Sequence, residues 1–201
     1  MAASCNGFIV SSPAAELPLT VAELRTHLRI RSQREDAYFA DLIRTAAAAA
    51  ESYTNRAWIT RTVVAYFDRL CDEMELPLAP VQSVSEVRYT DADGVDQTLD
   101  DALYYVDAVD VPGRPAAVLR AYNATFPTVR GFRNDVAITA VVGYGGADAV
   151  PEPVRQAIRI AAGALNAERE GLAAASSSLP MASRDLLWPY VVRPCPPGGT
   201  R

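Results

Sequence analysis

The stretch that decides the fold is residues 19–56, which read LTVAELRTHLRIRSQREDAYFADLIRTAAAAAESYTNR. Near its start, Thr20 stands three residues before Glu23. This spacing is typical of a capping box, in which each side chain bonds an amide that the first turn of a helix leaves unpaired. The pattern therefore predicts a helix over residues 20–30.

A second, longer helix is predicted to follow. Ser32 and Glu35 repeat the capping-box spacing, and Asn55 tolerates the left-handed backbone that often ends a helix. Between them runs an apolar stripe at helical spacing. Together these signals predict a helix over residues 33–55. Its stripe consists of Tyr38, Phe39, Leu42, Ile43, Ala46, Ala50 and Tyr53.

After residue 60 the hydrophobic period changes from nearly four to two, which is typical of strands. Asp91 to Gly94 supplies a tight hairpin turn, because Asp and Gly accept the backbone geometry that a reversal requires. We therefore predict a small antiparallel β-sheet inserted over residues 61–145. Its predicted strands are Thr62–Leu70, Ser83–Thr90, Val95–Leu99, Tyr104–Val109, Ala117–Tyr122 and Asp135–Tyr144.

A third main helix is predicted over residues 152–170, because Pro151 suits the start of a helix and an apolar stripe follows at helical spacing. This stripe consists of Val154, Ala157, Ile158, Ala161 and Leu165. A short helix from Ser183 to Trp188 is expected before Pro189. The fold class is therefore α+β: a small bundle of about three main α-helices, with an antiparallel β-sheet inserted between the second and third.

Both ends of the chain differ in composition from this core. Residues 1–18 are small, polar and interrupted by proline, so we interpret them as a flexible N-terminal arm that orders only against a neighbour. Residues 191–201 are rich in proline and glycine and are interpreted as a flexible C-terminal tail. The intervening residues 19–190 are expected to form a single domain.

Charge and composition exclude several classes of function. The chain has 201 residues with 24 acidic and 19 basic side chains, a net charge of -5. We find no basic run that could neutralise a row of phosphates, so tight sequence-specific binding of nucleic acid is not expected. Cys5, Cys71 and Cys195 match neither a zinc site nor a disulfide framework, and a reducing cytoplasm fits best. No signal peptide or membrane segment is expected.

Motifs for catalysis are weak. The only histidine, His27, lies on a helix face and is interpreted as a packing or interface residue. The glycines in residues 143–146 lie between a strand and a helix, but the lysine and hydroxyl of a phosphate-binding loop are missing. Prolines 151 and 153 also remove amides that would bind phosphate. A plain strand-to-helix turn is the better interpretation.

The acidic residues give no firm site either. The segment Asp91 to Asp101 resembles a calcium loop only faintly, because Tyr89 occupies the place of the first carboxylate ligand. A carboxylate cluster after the first strand has no apolar setting that would raise a pKa, and is interpreted as solvated loop charge. It consists of Asp68, Asp72, Glu73 and Glu75. The chain is therefore predicted not to be an enzyme and to hold no metal or cofactor.

The order of these segments resembles the phage head-tail connector proteins, also called adaptor or head-completion proteins. The resemblance covers about residues 19–190. The sequence segments that carry it are Leu19-Thr20 to Ile30; Ala50-Glu51-Ser52-Tyr53-Thr54-Asn55-Arg56; Glu75-Leu76-Pro77 with Pro80-Val81; Tyr104 and Val106; Gly143-Tyr144-Gly145 followed by Val150 to Ile158; and Leu186-Leu187-Trp188-Pro189-Tyr190.

The resemblance implies a structural function without turnover. Such proteins form a homo-oligomeric ring, usually twelve-fold, on the portal after DNA packaging, and they dock the next tail component. DNA passes through the channel without being held, and the acidic balance fits that role. The expected location is the neck of a virion or phage-like particle, assembled in the bacterial host cytoplasm.

The portal contact is predicted on the C-terminal segment. Trp188 and Tyr190 are interpreted as aromatic anchors, and Arg193 and Arg201 as cations that reach partner carboxylates. An alternative interpretation is that Trp188 and Tyr190 only close the protein's own core. Alternative functions are another phage ring, such as a stopper or tail terminator, or a small hydrolase or ligand-binding domain.

Overall fold

The computed structural model describes residues 2–3, 5–108, 114–167 and 179–193. The chain divides into two compact units, and each is described by itself. Unit 1 comprises Met1–Pro13, Thr60–Gly143 and Val192–Arg201, and unit 2 comprises Ala14–Ile59 and Tyr144–Val191. The described strands belong to unit 1 and the described α-helices to unit 2, which confirms the α+β class. The single domain over residues 19–190 stays a prediction.

Unit 2 contains the three main helices predicted from the sequence and a short fourth helix that leads into a 3-10 turn. They are α1 (Val21–Leu28), α2 (Asp36–Thr54), α3 (Glu152–Ala167), α4 (Met181–Leu187) and the 3-10 turn Trp188–Tyr190. The last residues of the predicted third helix, 168–170, lie outside the described residues.

The two predicted capping boxes had different outcomes. The first is confirmed: the Glu23 amide donates to the Thr20 hydroxyl at 3.2 Å, and the Thr20 amide donates to the Glu23 carboxylate at 2.9 Å. The second is wrong, because the Ser32 hydroxyl accepts instead from the amide of Arg34. This local bond closes a turn within the connection, so α2 begins only at Asp36.

The core of unit 2 is formed by apolar faces of all four helices. Small residues dominate where α2 and α3 pack, since Ala46 and Ala50 of α2 and Ala157 and Ala161 of α3 are all buried. Such residues let two helix backbones approach closely. The stripe predicted on α3 is confirmed except at Leu165, which is exposed.

The described residues of unit 1 form nine short strands. They are β1 (Ala2–Ala3), β2 (Gly7–Ser12), β3 (Arg61–Phe67), β4 (Glu73–Glu75), β5 (Val81–Thr90), β6 (Asp96–Thr98), β7 (Tyr104–Asp107), β8 (Ala117–Arg120) and β9 (Val136–Val142). They form two sheets where one was predicted. The five-stranded sheet is antiparallel with the order β2-β3-β9-β5-β6, and the four-stranded sheet has the order β1-β4-β8-β7 with β1 parallel to β4.

The predicted hairpin turn is present between β5 and β6. The carboxylate of Asp91 accepts the amides of Asp93 at 3.0 Å and Val95 at 2.9 Å, and Gly94 has a φ of 84°. These bonds occupy the Asp91 carboxylate within its own turn. They also lower the pKa of Asp91, chiefly through the amide of Val95.

Three of the described strands were missed in the sequence: the two-residue β1, β2 and β4. β2 lies within the predicted flexible arm of residues 1–18, yet it pairs with β3 over most of its length. β4 was interpreted as solvated loop charge, but it pairs with β8, and Met74 and Glu75 are buried. The apolar run of β2 is only three residues long, β4 has three residues in all, and the partner of each strand lies more than forty residues away in the chain.

The packing of α4 gives the first testable prediction. Leu187 is fully buried in the core of unit 2, so the Leu187→Ala variant should lose about 2–5 kcal/mol of unfolding free energy. Both tryptophans of the chain, Trp58 and Trp188, lie in unit 2, so denaturant unfolding followed by tryptophan fluorescence reports on this unit.

The matched control for this prediction lies on the same helix. Met181 is 80% exposed, so Met181→Ala should change the unfolding free energy by less than about 0.5 kcal/mol. Equal effects of the two substitutions would contradict the described orientation of α4.

Candidate partner-binding surfaces

The described residues contain no group of three or more histidine, cysteine or acidic side chains that could hold a metal ion. His27 is exposed on α1 and lines a shallow groove with Glu23 and Arg159. Two roles were predicted for this residue, packing or interface, and its exposed position suits an interface. None of the described helices has both the length and the apolar character needed to cross a membrane.

The closing segment, which we define as α4 and the 3-10 turn after it, has one face inside unit 2 and one face outside. On the inner face, the buried Ser183 hydroxyl donates to the carbonyl of Ala157 at 3.0 Å, and Leu187 enters the core. On the outer face, Met181 and Trp188 are seven residues apart, which is two helical turns. The segment is thus anchored on one side and presents large apolar side chains on the other.

Trp188 and Tyr190, which were predicted as a pair of anchors, are placed differently. Trp188 is 59% exposed and lies on the outer face. The Tyr190 ring packs edge-on against Trp58, with 6.4 Å between ring centroids. Tyr190 therefore packs on the core of unit 2 and Trp188 is largely exposed, and the role of either residue as a partner anchor stays a prediction.

A buried arginine holds the closing segment in place. Arg56 donates from Nε to the Tyr190 carbonyl at 2.6 Å and from Nη1 to the Tyr144 hydroxyl at 2.8 Å. Its side chain is almost fully buried. A guanidinium offers five donors and stays charged, so it is tolerated in a core only where acceptors are arranged around it.

Aromatic stacking supports the same cluster. Trp58 is fully buried, and its ring stacks on Tyr144 with 6.0 Å between centroids and 18° between planes. The Trp58 amide donates to the Glu51 carboxylate at 3.0 Å. Sequence reasoning missed the roles of Arg56, Trp58 and Tyr144. The available signal was the presence of Arg56 and Trp58 within three residues of the helix-ending Asn55.

The two predicted arginines follow the closing segment in the sequence. Arg193 is exposed and belongs to unit 1, next to the buried Val192. Arg201 lies outside the described residues, as does the rest of the predicted tail from residue 194 onward. The structure therefore brings together Trp188 and Tyr190 on one short segment, and their grouping with the arginines stays a prediction.

A second feature of unit 2 is an ion-pair network between α1 and α3. The Glu23 carboxylate accepts from Arg155 and, at 3.1 Å, from Arg159. Burial alone raises the pKa of Glu23, but hydrogen bonds from Thr20 and the charge of Arg155 outweigh it and lower the pKa from 4.5 to about 2. A carboxylate held ionised in this way ties two helices together and is unsuited to proton transfer at neutral pH.

This network predicts a specific pH dependence. Between pH 4.5 and 2 the unfolded chain takes up a proton at Glu23 that the folded chain does not, so the stabilisation is complete above pH 4.5 and is lost as the pH falls. In the Glu23→Gln variant, the slope of unfolding free energy against pH in this window should fall by up to about 1.4 kcal/mol per pH unit. Urea titrations at several pH values measure this slope. Equal slopes for the parent protein and the variant would contradict the role of Glu23 in the network.

The comparisons with known proteins agree with one another. Residues 18–108 match the family model described as phage gp6-like head-tail connector protein. The chain is similar to a chain in the neck of an empty GTA particle computed with C6 symmetry, with a TM-score of 0.75, 28% identity, and coverage of 96% of this chain and 98% of that chain. Comparison with curated protein sequences gives no match.

Two further solved structures give the same result. A chain in the virion of a native gene transfer agent (GTA) particle has a TM-score of 0.74 and 27% identity, and covers 95% of this chain and 98% of its own. A chain in the neck of a native GTA particle computed with C12 symmetry has a TM-score of 0.71 and 26% identity, with 96% and 97% coverage. The predicted resemblance to head-tail connector proteins is thereby confirmed over residues 18–108, and the similarity to neck chains supports a structural connector role.

Proposed function

We propose that this connector forms a homo-oligomeric ring of twelve subunits on the portal, in the neck of a phage or phage-like particle, and that it docks the next tail component. The observation that carries the proposal is the similarity of 96% of this chain to chains of a GTA neck, one of them in a neck computed with C12 symmetry. Assembly in the cytoplasm of the bacterial host, after DNA packaging, belongs to the same proposal.

The outer face of the closing segment is the proposed portal contact. Trp188 and Met181 are the two large apolar side chains on this face, and Arg184 lies exposed between them. Tryptophan and arginine are enriched among the residues that dominate binding energy at protein interfaces. Arg193 and Arg201 are proposed to add charge pairs with portal carboxylates.

Tyr190 is proposed to act on this contact indirectly. Its ring rests on Trp58 and its carbonyl accepts from Arg56, so the segment that displays Trp188 has a defined position before a partner arrives. Ordering an interface in advance reduces the entropy lost on binding. A truncation of this segment would also remove the buried Leu187, so single substitutions are the better test.

DNA is proposed to pass this protein without being bound. The net charge of the chain is -5, and like charge reduces the grip of a channel wall on DNA. No turnover is proposed, because the matched family is structural. A small hydrolase or ligand-binding domain would instead need a convergent site of polar groups.

Electron microscopy of the purified protein mixed with the portal protein from the same gene cluster tests the assembly. We expect an additional twelve-fold ring stacked on the narrow end of the portal, with the protein alone as control. A protein that binds only after another ring is present would be a stopper or a tail terminator. Bare portals beside folded monomers would contradict the proposal altogether.

Trp188 gives the matching prediction at the level of one side chain. The Trp188→Ala variant should bind the portal at least about tenfold more weakly, because a central tryptophan often contributes 2 kcal/mol or more to an interface. Its unfolding free energy should stay close to that of the parent protein, since the side chain is exposed. Binding is measured by titrating each variant onto portal protein immobilised on a surface.

The control for Trp188→Ala is Tyr122→Ala. Tyr122 is an exposed aromatic residue of unit 1, so its loss removes a similar apolar surface from elsewhere on the chain. Portal affinity should be unchanged in this variant. Equal losses in the two variants, or none in Trp188→Ala, would overturn the assignment of the closing segment as the portal contact.

A further inference from the structure

The strand β2 forms one edge of the five-stranded sheet. It is the terminal strand in that sheet, and among the described strands only β3 pairs with it. In an edge strand, alternate residues direct their backbone N–H and C=O groups away from the sheet. β2 therefore offers a row of backbone hydrogen-bonding groups to another strand.

The side chains of β2 are unusual for such an edge. Phe8, Ile9 and Val10 are consecutive, and they are 42%, 53% and 44% exposed. Natural sheets usually protect an open edge with lysine, proline or other charges, because an apolar edge promotes association. β2 contains no ionisable or proline residue over its six positions.

The opposite edge of the same sheet is protected. β6 carries Asp96, whose carboxylate lies 3.7 Å from the guanidinium of Arg88, and the adjoining turn adds Asp91 and Asp93. β6 is also only three residues long. One sheet thus has a short charged edge and a longer apolar edge, and this difference points to a partner for β2.

The chain itself holds β2 in position. The side-chain amide of Asn6 donates to Asp68 at 2.5 Å and to Asn134 at 3.1 Å, immediately before the strand. The Cys5 thiol donates to the Gly7 carbonyl. The edge is therefore a fixed template for pairing.

We infer that β2 is a lateral contact of the ring, and that its occupant is β7 of a second copy of this chain. The inference rests on the proposed ring assembly. A ring needs a contact between two different patches, because pairing of a patch with itself gives a closed two-fold dimer. The second patch must therefore be another sheet edge or surface.

β7 is the described edge that fits best as this second patch. It is the terminal strand of the four-stranded sheet, and Tyr105 in it is 54% exposed. Its one carboxylate, Asp107, already pairs with Arg114, so no unpaired charge would be buried against the apolar β2. The other two edges are less suitable, since β6 is charged and β1 has two residues.

The first test measures ring assembly of full-length variants, both in solution by sedimentation velocity and on the portal by electron microscopy. Ile9→Lys should weaken self-association by about tenfold or more and leave incomplete rings on the portal, because an ammonium group would enter an apolar strand pairing. Val95→Lys is the matched control, since Val95 is 54% exposed and lies in the turn immediately before β6, the charged edge of the same sheet. It should assemble as the parent protein does.

Folding of both lysine variants is checked by their unfolding free energies, which should lie within about 0.5 kcal/mol of the parent value. Normal ring assembly by the Ile9→Lys variant would overturn the inference. A parent protein that forms rings in solution without binding the portal would contradict the proposed portal contact and leave the lateral contact supported. Loss of assembly by Val95→Lys alone would move the contact to the β6 edge and overturn the inference as stated.

A cross-linking test addresses the choice of β7. Ile9→Cys and Tyr105→Cys are made separately in a chain in which Cys5, Cys71 and Cys195 are replaced by serine. A short bifunctional maleimide should link subunits when the two variants are mixed and assembled, and should give little product with either variant alone. Equal linkage of the Ile9→Cys variant with itself would indicate two-fold pairing of β2 and would overturn the inference, as would an absence of product in the mixed assembly.

Discussion

The guanidinium of Arg56 is buried in unit 2. The residues around it are positioned by the hydrogen bonds that this buried charge requires. It bonds the carbonyl of Tyr190 and the hydroxyl of Tyr144, which lie 134 and 88 positions further along the chain. A buried arginine without acceptors is strongly unfavourable, so these three residues stabilise one another's positions. Through them, the end of α2, the start of the segment that leads to α3, and the closing segment meet at one point of the unit.

This arrangement explains how two aromatic residues only two positions apart acquire different roles. Tyr190 is held inward by Arg56 and Trp58, while Trp188 lies at the start of the same 3-10 turn and remains exposed. A rigid support under an exposed aromatic residue suits a contact that must form repeatedly and identically around a ring. The apolar edge strand of unit 1 is fixed in a comparable way, by Asn6 at its start.

Much of the helical fold could be predicted from the sequence, because the signals are local. The Thr20 and Glu23 side chains bond amides within one turn, and Asn55 ends α2 in the left-handed conformation with a φ of 53°. The Asp91 to Gly94 turn is likewise closed by its own amides. The order of these elements was enough to indicate the connector family, which the family model and the neck structures then confirmed.

The sequence by itself thus determined the helices, the main hairpin and the α+β class, since each follows from near neighbours, and the order of the segments gave the resemblance to head-tail connectors. Only the tertiary structure decided that the strands form two sheets, that β2 is part of a sheet, and that Ser32 caps no helix. It also decided that Arg56 is buried and that Tyr190 points inward while Trp188 does not. The physical reason is that strand pairing and the burial of a charged group depend on partners far away in the chain, which no local pattern records.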